Sequence, residues 1–261
     1  MIKVFGHKSP DTDTVCSAII WAWYLNEHTT MDATPYVLGE LSSETTFVLN
    51  RWNTETPELL EELHEGDDVS IVDTNNPQEL PDSIGNANIV HIIDHHRLIG
   101  GLTNIAPVEI TMRKLGSTAS VIYNLIIQTT ESVPEDIAGL ILSSILSDTL
   151  EFRSPTTTPR DKEIAELLAE QLELDIHLYS QEMFEAKSDV SSFTDIGLVR
   201  LDSKKYDIGE KNLRISVIET TTPEKILERK EGILSAIRDI IEEENDTDDV
   251  LFFIIDILKE E

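Results

Sequence analysis

Short apolar runs dense in β-branched residues alternate with stretches of helical period along the first two thirds of the chain. Ile2-Lys3-Val4-Phe5, Tyr36-Val37-Leu38, Val69-Ser70-Ile71-Val72-Asp73 and Asn88-Ile89-Val90-His91-Ile92-Ile93 read as buried strands. Helical spacing recurs at Val15, Ala18, Ile19, Ala22 and Trp23 and over 42–52, and 58–63 reads as a further helical turn. Gly116-Ser117-Thr118-Ala119-Ser120 opens an amphipathic helix ending near Thr129, Pro134 starts an apolar helix over 137–146, and 160–174 carries a stripe of Ile164, Leu167, Leu168 and Leu172. Strands alternating with helices predict a parallel sheet whose carboxyl ends converge on one crevice.

Beyond 185 the pattern changes. The polar, turn-rich stretch 187–195 reads as a hinge between a first domain, 1–186, and a second, 196–261. The second alternates strand (198–206), an Asp207-Ile208-Gly209 turn, strand (213–219), helix (223–244) and strand (250–255). The expected class is α/β: an N-terminal parallel-sheet domain plus a smaller C-terminal α/β domain whose sheet is short of partners and reads as incomplete.

Length and composition agree with two cored domains, at 261 residues and 40% apolar. Fifty acidic against twenty basic residues give a formal charge of −30, a field that repels phosphate backbones and anionic membranes. Nucleic acid and membrane are therefore not expected partners, and an anionic substrate needs local positive charge. The single Cys16 excludes an intramolecular disulfide and fits a reducing compartment. No stretch approaches eighteen apolar residues and no leader precedes Ile2, so a cytoplasmic protein is expected.

Candidate chemistry gathers at the strand ends. Asp94-His95-His96 follows the 88–93 run, Asp73 closes the 69–72 run, and His7, Asp11 and Asp13 lie in the loop after the first strand, with Asp13 or Thr14 as the helix cap. Asp148 sits at a helix C-terminus, where the dipole disfavours a carboxylate unless a cation is beside it. Adjacent side chains on extended backbone point apart, so His95 and His96 are expected to take two different roles. The small residues at 116–120 suit an anion at a helix N-terminus as well as they suit a plain helix start. His7, His95 and the carboxylates are too many hard ligands for one four-coordinate zinc, and no thiolate is among them. They suit two ions of the manganese, cobalt or magnesium type, the arrangement that acidifies a bridging water into a hydroxide nucleophile and neutralises phosphoryl oxygens in hydrolysis of a phosphoric ester or anhydride. No nucleophile elbow supports a serine or cysteine triad.

Five motifs in order then carry a resemblance: Gly-His-Lys-Ser-Pro-Asp-Thr-Asp at 6–13, Val-Asp-Thr-Asn at 72–75, Asp-His-His at 94–96, Gly-Ser-Thr-Ala at 116–119 and Ser-Asp-Thr at 147–149. The set resembles the DHH phosphoesterase superfamily and, through the spacing of His7, Asp11 and Asp13, its family II (manganese-dependent) inorganic pyrophosphatases. The resemblance implies a DHH catalytic domain followed by a DHHA2-like substrate-binding domain. It implies His7 and Asp11 on one metal, Asp13, His95 and Asp148 on the other, and Asp73 bridging them. It also implies that His96 and Lys204, the latter reaching across from the second domain, bind substrate phosphate. Two manganese ions per site, cobalt as a substitute, magnesium with the substrate, pyrophosphate hydrolysis to two orthophosphates and a homodimer through the first domain follow in the same way.

Two departures qualify it. Thr74 stands where the family has histidine after the bridging aspartate. The family also continues past the equivalent of Leu258 into a Ser-Arg-Lys-Lys-Gln segment that this sequence does not contain, which sets the expectation of a truncated second domain and weak pyrophosphate binding. Alternatives are an exopolyphosphatase or another DHH phosphodiesterase, and a non-catalytic metal-binding regulator.

Overall fold

The structure, a computed structural model, describes residues 1–190, 193–201, 203–209, 211–244 and 247–256. The chain divides into two units, Met1–Met183 and Phe184–Glu261, and the stretch 187–195, expected as a hinge, includes residues 191 and 192, outside the described residues. In chain order the first unit comprises β1 (Ile2–Phe5), α1 (Thr12–His28), β2 (Ala33–Val37), α2 (Ser43–Arg51), β3 (Glu58–Leu59), β4 (Asp68–Val72), β5 (Asn88–Asp94), β6 (Glu109–Met112), α3 (Thr118–Ile126), α4 (Glu135–Thr149) and α5 (Pro159–Gln171). Helix α6 (Ile176–Lys187) contains the point of division.

The six strands form one sheet in the order β3-β2-β1-β4-β5-β6, every pair parallel. From β1 the chain builds outward to β3, then returns to β1's other side for β4, β5 and β6. That reversal leaves a crevice at the carboxyl ends of β1 and β4, where open parallel sheets bind ligands. The unbroken apolar runs have a direct cause. Val4, Val72 and Ile93 face a core shared with α1, α3, α4 and α5, while their neighbours Phe5, Ile71 and Ile92 face a second core with Leu60, Leu63 and Leu80. Because adjacent strand residues alternate sides and both sides are covered, both must be apolar.

Helix packing in this unit closes on α4, which lies against α1 and α5. Gly139 permits the approach of Trp52: a Cβ there would lie 2.0–2.4 Å from the indole. The indole Nε1 donates to Ser143 Oγ at 3.1 Å and Tyr179 Oη at 2.8 Å, which satisfies its one polar group inside the core.

Several expectations need correction. The 58–63 stretch is not helical: Glu58 and Leu59 form β3, paired with Tyr36 and Val37. The edge of β2 offered Glu58 and Leu59 backbone partners that a short, exposed helical turn would not have. The second strand lies at Ala33–Val37, slightly before the 36–38 run. Strand β6 and helix α6 were not legible at all. In β6 the apolar Ile110 is exposed and Glu109 lies at the sheet edge, so its conformation comes from pairing with β5 rather than from an apolar pattern.

The second unit contains α7 (Asp195–Arg200), β7 (Ser203–Ile208), β8 (Lys211–Thr220), α8 (Pro223–Glu228), α9 (Lys230–Glu243) and β9 (Asp249–Asp256). Its sheet runs β7-β8-β9, antiparallel then parallel. The expected strand 198–206 is wrong in its first half: Thr194 caps α7 by accepting the Gly197 N–H, and Leu198 and Val199 are buried with Ile226, Ile233 and Ile240. Leu198, Val199 and Leu201 suggested a strand, and the cap with its apolar docking surface decided for helix.

Candidate metal centre

The loop after β1 starts at Gly6, where a Cβ would meet Thr14 Cγ2 at 2.6 Å and the Val72 carbonyl at 2.8 Å. This close approach brings His7 beside the end of β4. Asp11, not Asp13 or Thr14, is the N-cap of α1: its backbone is extended and its Oδ1 accepts the Thr14 N–H at 2.9 Å. The cap thus lies two or three residues earlier than expected, and Asp13 falls inside the helix's first turn, fully buried.

Asp13 is held by four donors. Its Oδ1 accepts from Ser17 Oγ at 3.2 Å, Ser117 Oγ at 2.9 Å and the Ala119 N–H at 3.0 Å, and Oδ2 from the Thr118 N–H at 2.6 Å. The small residues at the start of α3 therefore do cradle an anion, which is the protein's own carboxylate. Asp161 fixes that loop by accepting the Gly116 N–H at 2.9 Å.

Asp73 follows β4 with φ of +61°, left-handed backbone that carboxamide and carboxylate residues tolerate better than most. Its Oδ2 accepts from Thr14 Oγ1 at 2.5 Å and its Oδ1 from Thr118 Oγ1 at 2.9 Å. His7 Nε2 lies 3.5 Å from Oδ2 and His95 Nε2 3.5 Å from Oδ1. Asp73 thus stands between two imidazoles, one from each neighbouring strand end.

His95 and His96 do not splay apart. Strand β5 ends at Asp94, so the alternation of extended backbone no longer applies, and the two rings lie 4.2 Å apart. They still differ in partners. His95 Nδ1 donates to the Leu115 carbonyl at 3.1 Å, which leaves Nε2 buried without a hydrogen-bond partner, 3.5 Å from both Asp73 Oδ1 and Asp148 Oδ2. His96, half exposed, is tied through Nδ1 to Asp94 Oδ1 at 2.9 Å. Asp94 in turn accepts from Asn75 Nδ2 at 2.5 Å, and Asn75 Oδ1 accepts the Ile99 N–H at 2.7 Å. Asn75 and Asp94 are positioning residues, and sequence reading credited neither with that task. Thr74, the residue at the departed position, donates to Glu79 Oε2 at 2.6 Å and so braces the following turn.

Three overlapping groups of donor atoms result, each with all atoms within 4.8 Å of one another: His7, Asp11 and Asp73; Asp13, Asp73, His95 and Asp148; and Asp73, His95 and His96. Asp73 belongs to all three. Lys204, the remaining site candidate, lies exposed on β7 opposite Ile215 in the second unit. A pocket of about 590 Å³ opens beside the cluster, lined among others by His7, Lys8, Asn75, Glu79, His96 and Arg97.

The charges are frustrated without a cation. Burial and the neighbouring Asp73 push Asp13 up to about 7, and burial with Asp13, Asp11 and Asp73 pushes Asp148 well above the carboxylate range. Burial disfavours charge on His7 and His95 too. Asp11 and Asp73 outweigh it at His7, raising it to about 10, and Asp73 and Asp13 raise His95 to about 9. Asp73 meets the same opposition from burial, and His7 and His95 hold it below its ordinary range. Protons thus occupy positions where divalent ions would relieve both the carboxylate repulsion and the orphaned His95 nitrogen. The donor set, carboxylate oxygens with imidazole nitrogens, suits ions of the manganese class.

Comparison with known proteins gives a consistent outcome. A model described as the DHH family, N-terminal domain, matches residues 1–145, and one described as the DHHA2 domain matches residues 181–261. The chain is 38% identical over 228 residues to a Staphylococcus epidermidis protein named "Probable manganese-dependent inorganic pyrophosphatase", with 87% of this chain and 74% of that protein covered. A Deinococcus radiodurans protein of the same name is 37% identical over 265 residues, covering 100% and 83%. The crystal structure of a candidate family II inorganic pyrophosphatase of Methanococcus jannaschii superposes with a TM-score of 0.76 at 34% identity, over 100% of this chain and 85% of that one.

Proposed function

The chain belongs to the manganese-dependent, family II inorganic pyrophosphatases of the DHH group, and on that premise we propose that it hydrolyses inorganic pyrophosphate to two orthophosphates. The observation that carries the reading is the buried, partnerless Nε2 of His95 aimed at Asp73 and Asp148, inside a cluster with more carboxylates than its imidazoles can neutralise. His7 and Asp11 are assigned to one ion, Asp13, His95 and Asp148 to a second, and Asp73 to both. When bound, two divalent ions supply charge neutralisation at phosphoryl oxygens and acidity to a water.

The remaining work falls to the chain's own groups. Thr14, Thr118 and the α3 amides fix Asp73 and Asp13, so that little reorganisation accompanies reaction. His96 is assigned to substrate phosphate: Asp94 raises its basicity, and it lines the pocket with His7 and Arg97. An imidazolium there donates from Nε2 to a phosphoryl oxygen while its Nδ1–H stays hydrogen-bonded to Asp94, whose carboxylate stabilises the positive ring. Lys204, exposed on β7, is assigned to the same substrate as a point charge. Magnesium is assigned to accompany the pyrophosphate.

The domain roles follow: residues 1–186 hold the metals and 196–261 bind substrate. Exposed Leu98, Ile105 and Ile110 support a homodimer through the first unit. Among the described residues no helix is long and apolar enough to cross a membrane. The single buried Cys16 suits a cytoplasmic protein, and the −30 charge disfavours nucleic-acid and anionic-membrane partners. The test is orthophosphate release from pyrophosphate with manganese and magnesium present, beside longer polyphosphate and a dinucleotide. Two orthophosphates per pyrophosphate are expected. Two bound manganese ions per chain without pyrophosphate turnover would overturn the assignment.

A further inference from the structure

Charge pairing in the first unit is nearly complete, with one localised exception. Lys3 pairs with Asp67, Lys8 with Asp82, Arg153 with Glu151 and Arg160 with Glu163, while Arg51 and Lys162 lie over the rings of Trp52 and Phe152. Of the cations in this unit, Arg97, Arg113 and Lys114 have neither a carboxylate at ion-pair distance nor an aromatic face among the described residues. All three line a single pocket of about 360 Å³, together with His95, His96 and Met112.

Their placement follows from the sheet. Asp94 pairs with Met112 across β5 and β6, the Arg113 N–H donates to the Asp94 carbonyl at 3.2 Å, and the Leu115 carbonyl accepts from His95 Nδ1. The segment 113–115 is therefore held against 94–97 by backbone bonds. Arg113 Nη1 is also tied back to the Met112 carbonyl at 2.9 Å. The basic patch is thus anchored to the same strand end that delivers His95 and His96, and Arg97 lines the larger pocket as well.

We propose that Arg97, Arg113 and Lys114 form an anion subsite continuous with the candidate metal centre, which seats the third phosphoryl group of an inorganic linear triphosphate. The proposal rests on the pyrophosphatase reading for the seats of the first two phosphoryl groups. Guanidinium and ammonium groups together suit a phosphate oxygen cluster. Met112 is the only apolar side chain in the lining, and no Phe, Tyr or Trp is among the lining residues. Five of the six lining side chains are cations or imidazoles, so the pocket offers charge to phosphoryl oxygens and little apolar surface to a nucleobase, which favours an inorganic polyanion over a nucleotide.

The test uses the full chain with manganese and two probes whose P–N–P links resist hydrolysis, imidodiphosphate and diimidotriphosphate, titrated calorimetrically near physiological ionic strength. The parent is expected to bind the three-phosphate probe more tightly than the two-phosphate probe. Each exposed charge contact is worth up to about fivefold, so Arg113→Glu with Lys114→Glu should shrink that ratio by roughly tenfold. An unchanged ratio overturns the subsite, as does an equal loss for both probes, the mark of long-range attraction alone. Light scattering checks that the variant keeps the parent's mass; if it does not, Arg97→Glu carries the same expectation and the same refutation. Pyrophosphate turnover by the parent is measured in parallel, so that failure of the pyrophosphatase reading is seen separately from failure of the subsite.

Discussion

Asp73→Asn separates charge from shape at the centre of the cluster. Asparagine tolerates the +61° φ, whereas alanine would add about 1–2 kcal/mol of left-handed strain to any functional loss. The variant also keeps an oxygen for one of the Thr14 and Thr118 hydroxyls. Asp73 faces His7 and His95 at 3.5 Å through separate oxygens. Unit charges at that spacing and an effective dielectric of about 20 interact by about 5 kcal/mol, and removal of one partner of a buried pair leaves a net loss of about 3–5 kcal/mol. The metal-free variant should therefore be less stable than the parent by that order. A divalent ion doubles the charge product, so loss of the carboxylate weakens each shared ion by at least about 4 kcal/mol, roughly a thousandfold. Manganese content after dialysis, with the manganese-induced rise in Tm as an independent reading, is the assay. Two ions per chain and an undiminished rise in Tm would refute the shared role of Asp73.

Lys204→Ala should raise the KM for pyrophosphate while manganese content stays at the parent value; a fall in metal content would show that the lysine is structural. Asn75→Ala frees Asp94 and the 97–99 backbone, so kcat should fall about tenfold or more with metal retained, and an unchanged kcat would remove His96 positioning from the mechanism. In the metal-free chain Asp13 titrates near 7, above its usual value, so the stability its proton confers is full below about pH 4 and lost as pH rises through 7. Manganese should therefore raise Tm more at pH 8 than at pH 5 and release protons on binding, and calorimetry in buffers of different ionisation enthalpy that found no release would contradict the protonated cluster. Gly139→Ala drives a methyl into the Trp52 ring and should cost about 1–3 kcal/mol in urea unfolding, with no loss indicating that α2 and α4 separate freely.

Much of this protein was determined by local sequence. The apolar runs at 2–5, 69–72 and 88–93 fix strands because only burial on both faces tolerates such runs, and the chemistry at their carboxyl ends follows from where a parallel sheet leaves its crevice. His7, Asp11, Asp13, Asp73, His95 and Asp148 stood out as candidate ligands for that reason, as polar residues placed directly after, or between, segments that had to be buried. Tertiary structure decided the rest. Glu58 and Leu59 became a strand because β2 had a free edge, and 195–200 became a helix because Thr194 capped it over an apolar core. Asp13 acquired its four donors from residues as far away as Ala119, and His96 acquired its orientation through Asn75 and Asp94. The cations at 97, 113 and 114 meet only because β6 pairs beside β5. Periodicity reports which face of a segment is buried, a property of neighbours in sequence. Which donor satisfies a buried charge, and which charge is left without one, depends on groups that the fold alone brings within hydrogen-bond distance.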